Sequence, residues 1–280
     1  MEVFTLKSQY NDWRSKTADK TIGFVPTMGA LHNGHIQLVK DSCLNNDLTV
    51  VSIFVNPTQF NQQGDLTNYP RTLQKDLLLL EDSGCDAVIV PSVEEIYPSG
   101  LENFINIDLG YLDTVMEGAY RPGHFKGVIM VVDLLFKLVK PHKAYFGEKD
   151  YQQLLVIKKL KETQNYSIQI VSCPIFREKD GLAYSSRNLL LSKENRAKAK
   201  IVPNVLLHSI EMFKKLTIED LKKWVEVTVN SVSGVSLDYF EVVNQNTLKP
   251  ISSQSGEEEI RFFIAVKIGG IRLIDNMIAE

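Results

Sequence analysis

Residues 22–45 read IGFVPTMGALHNGHIQLVKDSCLN, and this stretch decides the fold. It opens with an apolar run, Ile22–Val25, that predicts a strand, the first of a sheet. A loop punctuated by glycines follows. From about His35, apolar residues return at spacings of three and four, as they do on one face of a helix. A strand, a glycine-containing loop and a helix in this order indicate a βαβ unit.

The same alternation continues through the first two thirds of the chain, which is typical of strands and helices on a parallel sheet. Further strands are predicted at 48–55, 87–90, 144–146 and 168–173. Further helices are predicted at 73–80, 125–139 and 151–162. We therefore predict an α/β fold for residues 1–175, with a Rossmann-like, doubly wound parallel sheet.

The pattern changes after Cys173. The predicted elements there are two polar helices and then two strands, at 193–216, 218–229, 237–243 and 260–268. They follow one another without regular alternation, which predicts a smaller α+β domain over residues 176–280. The boundary between the two domains is expected near Pro174–Arg177.

The composition excludes several classes of protein. With 44% hydrophobic and 23% charged residues among 280, the chain has ample apolar material for a core. Its net charge of −3 gives no field that would gather nucleic acid, so any anion site must be local. The N-terminal residues lack the apolar run of a signal peptide, so we expect a cytoplasmic protein without a membrane partner. Buried free thiols are expected at Cys43, Cys85 and Cys173.

The loop Pro26–His35 ends where a helix is predicted to start, and free backbone N–H groups at a helix start favour phosphate. Two nucleotide-binding templates fail here. The glycines do not spell GxGxxG, and Gly29-x4-Gly34 is followed by His35 where a P-loop has lysine. What remains is the pair His32 and His35, which can donate hydrogen bonds to phosphate oxygens in a transition state. The alternatives are a chance surface pair or half of a metal site, although no third ligand lies at a suitable spacing.

Two further clusters could bind anions. Residues 145–153, YFGEKDYQQ, combine a strand end, a glycine turn and a helix start. Within them Lys149 could meet a phosphate, and Asp150 could hold a metal ion or cap the helix. Residues 180–188, DGLAYSSRN, bring two hydroxyls and a guanidinium into one loop, which could clamp a polyphosphate. Each cluster alone could also be an ordinary helix cap, but together the three sites favour one triphosphate.

With these motifs in order, the chain resembles the pantothenate synthetase family along nearly its whole length. The matching segments are GFVPTMGALHNGH, SIFVNPTQF, YPRT, RPGHFKGV, YFGEKDYQQ and REKDGLAYSSRN, and more weakly YFEVVN and RLIDN. The resemblance implies that the carboxylate of pantoate attacks ATP to give pantoyl adenylate and pyrophosphate, and that the amine of β-alanine then displaces AMP. A charged carboxylate needs no general base, so the first step requires mainly positioning and charge stabilisation.

The resemblance also implies roles for individual residues. His35 would be the proton donor, accompanied on the phosphates by His32 and Lys149 as catalytic residues. Gln59 and Gln153 would hold pantoate and β-alanine, since an amide can donate to a carboxylate and accept from hydroxyls. The ATP-binding residues would be Met28, Gly29, Ala30, Leu31, His32, Asn33, Gly34, His35, Gly147, Glu148, Lys149, Asp150, Phe176, Tyr184, Ser185, Ser186 and Arg187.

The family uses magnesium with ATP, and the metal candidates are Asp150 and Asp76. The resemblance further implies that residues 1–175 bind nucleotide and pantoate, that residues 176–280 form a lid domain, and that the chain is a homodimer. Within matching motifs, no role is assigned to Asn56, Arg121 and His124. The chain departs from the family pattern at Met130 and Tyr184, which leaves the phosphate-binding groups intact.

Two alternatives stay open. The motif His32-Asn33-Gly34-His35, or HxGH, is also typical of a wider nucleotidyl-transferring superfamily. Another adenylyltransferase of that superfamily would explain this motif but not the later ones. A catalytically silent nucleotide-binding protein on the same scaffold would have no need to retain every side chain that could stabilise a transition state.

Overall fold

The computed structural model describes residues 1–61, 63–101, 105–251 and 259–279. The chain divides into two compact units. The first unit consists of Met1–Glu148 and Gln152–Pro174, and the second consists of Lys149–Tyr151 and Ile175–Glu280. The assignment of a nucleotide-binding domain and a lid domain stays a prediction.

The first unit is built on a single sheet in the part of the chain that is described. Its strands are β1 (Glu2–Phe4), β2 (Ile22–Thr27), β3 (Leu48–Ile53), β4 (Ala87–Ile89), β5 (Lys143–Gly147) and β6 (Gln169–Cys173). The helices up to residue 163 are α1 (Lys7–Lys16), α2 (Asn33–Asn45), α3 (Gln63–Asn68), α4 (Leu73–Asp82), α5 (Val93–Ile96), α6 (Met116–Tyr120), α7 (His124–Val139) and α8 (Tyr151–Thr163).

The strands lie in the order β1-β4-β3-β2-β5-β6, and every neighbouring pair is parallel. From β2 the chain moves to β3 and β4 on one side, and it resumes with β5 and β6 on the other. The direction of winding therefore changes between β2 and β5, which is the switch point of a doubly wound sheet. The predicted Rossmann-like parallel sheet is confirmed.

Burial explains why these segments form this sheet. The central strands are apolar on both faces, and Phe24, Val25, Val50 and Val51 are fully buried, as expected when helices cover both sides of a parallel sheet. Helix α7 is also apolar around most of its circumference and almost wholly buried. A helix with such a surface belongs in a protein core.

Ile22–Val25 lies in a strand, as predicted, but the prediction that this strand is the first in the chain was wrong. The strand β1 precedes it and pairs with β4 at the edge of the sheet. Because β1 has only three residues and Val3 is 44% exposed, it is too short to show the alternation that identifies a strand.

The second unit carries the helices α9 (Lys193–Lys198), α10 (Ile201–Phe213) and α11 (Ile218–Asn230). Its strands β7 (Val235–Asn244), β8 (Ile260–Ile268) and β9 (Ile271–Ile278) form an antiparallel sheet in that order. The apolar sides of these elements share one core, in which Leu206, Val225 and Phe262 are fully buried. The predicted smaller α+β architecture is confirmed.

In this unit one predicted element was wrong and one strand was not predicted. The single helix predicted at 193–216 is two helices, because Pro203 has no N–H to donate and its ring opposes the carbonyl four residues earlier. The strand that was not predicted is β9. It is joined to β8 by Gly269 and Gly270, whose φ angles of 55° and 82° suit a tight hairpin turn, and this glycine pair could have predicted the hairpin.

The cysteines were predicted to be buried free thiols. All three are free, and Cys85 and Cys173 are buried, but Cys43 is only partly buried at the side of α2. Among the helices of the described ranges, none combines the length and the apolar character needed to cross a bilayer.

Candidate active site

Three predicted site segments leave neighbouring strands at the same edge of the first unit's sheet. Residues 28–35 follow β2, residues 56–59 follow β3, and Gly147 ends β5. Since β3, β2 and β5 are adjacent and parallel, their carboxyl ends meet at the switch point. In open α/β sheets this is where ligands bind.

The loop after β2 begins with a tight turn. The Thr27 hydroxyl donates to the Ser52 carbonyl at 2.7 Å and accepts the N–H of Gly29 at 3.2 Å. The next two residues, Gly29 and Ala30, have φ angles of 78° and 50°, both in the left-handed region. Glycine adopts this conformation freely, whereas an alanine there costs about 1 kcal/mol. The turn must therefore be held by contacts from outside the loop.

Asp76 supplies those contacts from the first turn of α4. It is 1% exposed, and its Oδ2 and Oδ1 accept the N–H groups of Ala30 and Leu31 at 2.9 and 2.8 Å. The Thr72 hydroxyl also donates to Oδ1, at 3.0 Å. From the sequence, Asp76 is expected only as a metal candidate. Within the described ranges, no group of three or more His, Cys, Asp or Glu side chains is arranged to hold a metal ion.

The two histidines lie at the start of α2, where His32 is the N-cap residue. Their ring centroids are 4.0 Å apart and their planes are inclined by 30°. The His32 N–H donates to Nδ1 of His35 in a long hydrogen bond of 3.4 Å. This bond requires a lone pair on Nδ1, so the proton of neutral His35 lies on Nε2. His35 therefore has a donor on Nε2 at the end of a helix where anions are stabilised.

Gln59 is joined to this loop by its side chain. It ends a 3₁₀ turn after β3 and is 7% exposed. Its Nε2 lies 3.0 Å from the sulfur of Met28, and its Oε1 accepts from Asn56 Nδ2 at 3.2 Å. The first predicted pantoate-binding residue and the first predicted ATP-binding residue are therefore in direct contact.

His124 and Asn56, which the sequence left without roles, hold the Gln59 segment against α7. His124 Nδ1 donates to the Gln59 carbonyl at 2.9 Å, so its Nε2 can accept from Arg121 Nη1 at 3.1 Å. Asn56 Nδ2 donates to the Gly127 carbonyl at 3.1 Å.

Tyr97 completes the hydrogen bonds of Asn56. Its hydroxyl donates to Asn56 Oδ1 at 2.7 Å. Burial raises the pKa of Tyr97 to about 12, so the hydroxyl keeps its proton at neutral pH and remains a donor. Asn56, which bonds Gln59, is therefore held in turn by a hydroxyl that stays uncharged at neutral pH.

Two adjacent glutamines at the start of α8 have different surroundings. Gln152 is 3% exposed, and its amide donates to the carbonyls of Leu112 and Val115 at 2.8 and 2.9 Å. Its Oε1 accepts the N–H of Glu117 at 3.0 Å. Gln153, the predicted pantoate residue, is only partly buried. The structural role of Gln152 cannot be predicted from the sequence, because two successive glutamines give no sign of which one is buried.

Apart from Glu148, which belongs to the first unit, the remaining predicted site residues belong to the second unit. Lys149 Nζ lies 3.6 Å from Asp150 Oδ2, and their side chains are 19% and 49% exposed. The backbone carbonyl of Lys149 accepts from Asn276 Nδ2 at 3.0 Å. The Asp150 carboxylate is therefore ion-paired and substantially open to solvent.

The segment 176–187 forms a small looped structure of its own. Tyr184 donates its N–H to the Phe176 carbonyl at 3.0 Å, and the two rings stack with centroids 5.5 Å apart. Ser185 Oγ accepts the N–H of Arg187 at 3.3 Å, which caps a 3₁₀ turn that begins at the buried Ser186. The stacked rings and the capped turn stabilise the conformation of this segment. Its participation in one nucleotide site with residues 28–35 stays a prediction.

The weak C-terminal motif RLIDN has a structural partner in this segment. Asp275 accepts two hydrogen bonds from Arg177, at 2.6 and 3.0 Å, and the Asn276 carbonyl accepts a third at 3.1 Å. Such a fork of bonds fixes the guanidinium plane. The pair Asp275 and Asn276 therefore anchors Arg177, near the start of the segment that carries the predicted phosphate loop.

Comparisons with known proteins agree with this arrangement of motifs. A family model described as pantoate-beta-alanine ligase matches residues 2–278. The chain is 48% identical over 262 residues to a pantothenate synthetase of Bacteroides fragilis, covering 94% of this chain and 92% of that protein. It is 44% identical over 279 residues to the pantothenate synthetase of Porphyromonas gingivalis, covering 99% of each.

Solved structures show the same likeness. A crystal structure of pantothenate synthetase from Thermus thermophilus matches with a TM-score of 0.91 and 40% identity, covering 99% of each chain. A pantoate-beta-alanine ligase from Francisella tularensis, complexed with beta-gamma ATP and beta-alanine, matches with a TM-score of 0.82 and 36% identity. That match covers 100% of this chain and 98% of the other.

Proposed function

The chain belongs to the pantoate-β-alanine ligase family, and we propose that it condenses pantoate with β-alanine to pantothenate, using ATP and releasing AMP and pyrophosphate. One observation carries the proposal. At the switch point of the sheet, Gln59 contacts Met28 of the histidine loop, residues 28–35. A side chain suited to binding a hydroxy acid therefore lies beside a loop suited to binding phosphate.

We propose two chemical steps. In the first, a carboxylate oxygen of pantoate attacks the α-phosphorus of ATP, and the bond to the departing pyrophosphate breaks. In the second, the amine of β-alanine attacks the carbonyl carbon of pantoyl adenylate, and AMP leaves with the oxygen that came from pantoate. The amine loses a proton as the amide forms. Both steps require aligned reactants more than they require strong acids or bases.

His35 suits the first step. Its Nε2–H can donate to a phosphate oxygen, and the hydrogen bond strengthens as charge moves onto the leaving pyrophosphate. The neighbouring His32 and the ammonium of Lys149 are proposed to stabilise the same charge. The proposed phosphate ligands in the second unit are Ser185, Ser186 and Arg187.

Gln59 and Gln153 are proposed to hold pantoate. An amide can donate to the carboxylate and accept from the hydroxyl groups, so a pair of amides orients the acid without a charge that would reduce its nucleophilicity. The fixed backbone of Gln59, bonded to His124 at 2.9 Å, limits the error in that orientation.

Magnesium is proposed to arrive with ATP. The described residues offer no cage of three ligands, which agrees with a metal that is bound mainly by phosphates and water. Asp150 is the candidate contact, because its carboxylate is half exposed. When bound, the metal would neutralise phosphate charge. The expected homodimer stays a prediction.

The test is an assay of the purified protein with ATP, magnesium, pantoate and β-alanine, in which pantothenate, AMP and pyrophosphate are measured. We expect the three products in equal amounts. Release of pyrophosphate with nicotinamide mononucleotide or another acceptor, and none with pantoate, would favour a different adenylyltransferase. No turnover with any acceptor, together with intact ATP binding, would favour a silent nucleotide-binding protein.

An isotope experiment tests the adenylate. With pantoate labelled by ¹⁸O in its carboxylate, one labelled oxygen is expected in the AMP. Unlabelled AMP from a reaction that makes pantothenate would exclude the adenylate route.

A further inference from the structure

The carboxylate of Asp76 lies beneath the loop proposed to bind ATP. Its two oxygens accept the N–H groups of Ala30 and Leu31 and the hydroxyl of Thr72, at distances of 2.8 to 3.0 Å. These three donors are all uncharged. A carboxylate that is 1% exposed is costly to bury unless its oxygens are hydrogen-bonded. The three hydrogen bonds offset that cost.

The hydrogen bonds to Asp76 stabilise a turn whose backbone conformation is otherwise unfavourable. With φ angles of 78° and 50°, Gly29 and Ala30 direct successive N–H groups to one side, which creates a concavity suited to an anion. Asp76 fills it. A Cβ at position 29 would stand 3.1 Å from Asp76 Oδ2, so the loop and the carboxylate are already in close contact. The N–H groups of Ala30 and Leu31 therefore already donate to a side chain of the protein.

We propose that Asp76 is a positioning residue for the histidine pair, and that it is not a magnesium ligand. Leu31, whose N–H it holds, directly precedes His32, the N-cap of α2. The N–H of His32 in turn reaches Nδ1 of His35. Asp76 thus fixes the backbone from which both imidazoles are presented. This inference rests on the proposed function of the histidines.

The test is Asp76→Asn, which keeps the shape but replaces one acceptor oxygen by an NH₂ group facing a backbone N–H. We expect amide exchange of Ala30 and Leu31 to accelerate at least about tenfold, as the hydrogen bonds that protect them are lost. We expect turnover to fall roughly 10- to 100-fold, because small misplacements of catalytic groups have effects of that size. Thr72→Val, which removes a single donor, should give the same pattern in smaller measure.

Asp133→Asn is the matched control. Asp133 is also a buried carboxylate, bonded to Tyr166 and Lys137 at 2.5 and 2.7 Å, but in α7. This variant should lose thermal stability while its turnover stays within about twofold of the parent. Equal loss of turnover in Asp76→Asn and Asp133→Asn would assign Asp76 a general structural role and overturn the proposal.

Two further measurements separate positioning from other roles. In a background that carries both His32→Ala and His35→Ala, Asp76→Asn should lower turnover by less than about threefold, because both positioned groups are already absent. A full multiplicative loss would contradict action through the histidine pair. The magnesium concentration for half-maximal rate should be unchanged in Asp76→Asn. A large increase in that concentration would show a metal ligand instead.

Failure of the proposed function can be distinguished from failure of the positioning role of Asp76. If the parent protein makes no pantothenate, the function is wrong, while the amide exchange of Ala30 and Leu31 still decides whether Asp76 holds the loop. If the parent is active and Asp76→Asn keeps both its amide protection and its turnover, the positioning role alone is wrong.

Discussion

Gly127 in α7 lies directly against the backbone of Thr58, so closely that a Cβ at position 127 would stand 2.4 Å from the Thr58 carbonyl oxygen. The same Cβ would be 2.6 Å from the backbone nitrogen of Gln59. A side chain of any size therefore cannot be added without moving the segment that carries the proposed pantoate ligand.

Gly127→Ala should displace that segment. We expect a loss of about 1–3 kcal/mol of stability from overpacking and a raised KM for pantoate, with a smaller change in KM for ATP. The control is Gly64→Ala in α3, where none of the described atoms lies within 4 Å of the added Cβ and a helical alanine is favoured by up to about 1 kcal/mol. Thermal unfolding and steady-state kinetics give both readouts. A Gly127→Ala protein with parental stability and pantoate kinetics would contradict the close approach.

The neighbouring glutamines should respond in opposite ways. Gln152→Ala removes three hydrogen bonds to buried or partly buried backbone groups, so we expect a clear drop in melting temperature, equivalent to roughly 1–3 kcal/mol. Gln153→Ala should leave the melting temperature near that of the parent and raise KM for pantoate. Calorimetry and kinetics on the two variants test the assignment. The reverse pattern would exchange the roles of the two residues.

His35→Ala should lower kcat by roughly 10²- to 10³-fold, the usual effect of removing one transition-state hydrogen-bond donor. ATP affinity, measured by calorimetry, should change far less, because the donor matters most as charge develops. His208→Ala is the control, since His208 is an exposed residue of α10 in the second unit. Equal losses of ATP affinity and turnover would contradict the transition-state role of His35.

Acid stability of the second unit should depend on Asp180. Hydrogen bonds from Arg196, helped by the N–H of Leu182, hold the pKa of Asp180 below its ordinary value of 3.8. As pH falls through and below 3.8, the unfolded chain takes up this proton before the folded one, so stability decreases with falling pH. Asp180→Asn should therefore destabilise the protein at neutral pH and differ less from the parent in acid.

Denaturant unfolding across that pH range measures the effect. Asp19→Asn serves as the control, because the Asp19 side chain is 77% exposed and its ion pair spans 3.9 Å. A constant difference between Asp180→Asn and the parent at every pH would show that the carboxylate is not the titrating group.

The thiols should differ in reactivity. Burial raises the pKa of Cys85 and of Cys173 to about 12, which leaves roughly one thiolate in 10⁴ at pH 8. Cys43 is only partly buried. With an aromatic disulfide reagent, the native protein should release one equivalent quickly and three after denaturation. Cys43→Ser should abolish the fast phase, and a remaining fast equivalent would mean that a buried thiol becomes accessible.

Much of the site could be predicted because its residues are local in sequence. The strand, turn and helix of residues 22–45 form one contiguous pattern, and the two histidines three positions apart meet on the first turn of a helix. The strand β1 and the first of the two adjacent glutamines, Gln152, escaped prediction for the converse reason. A three-residue strand and a lone buried amide produce no period along the chain.

By itself, the sequence determined the parallel α/β sheet, the smaller α+β unit and the histidine loop at a helix start, since these follow from periodicity and from motifs a few residues long. The tertiary structure alone decided what supports them. Asp76 meets Ala30 across 46 positions, and His124 meets Gln59 across 65. A hydrogen bond between such distant residues depends on how strands and helices pack, and it leaves no mark in the spacing of the residues that make it.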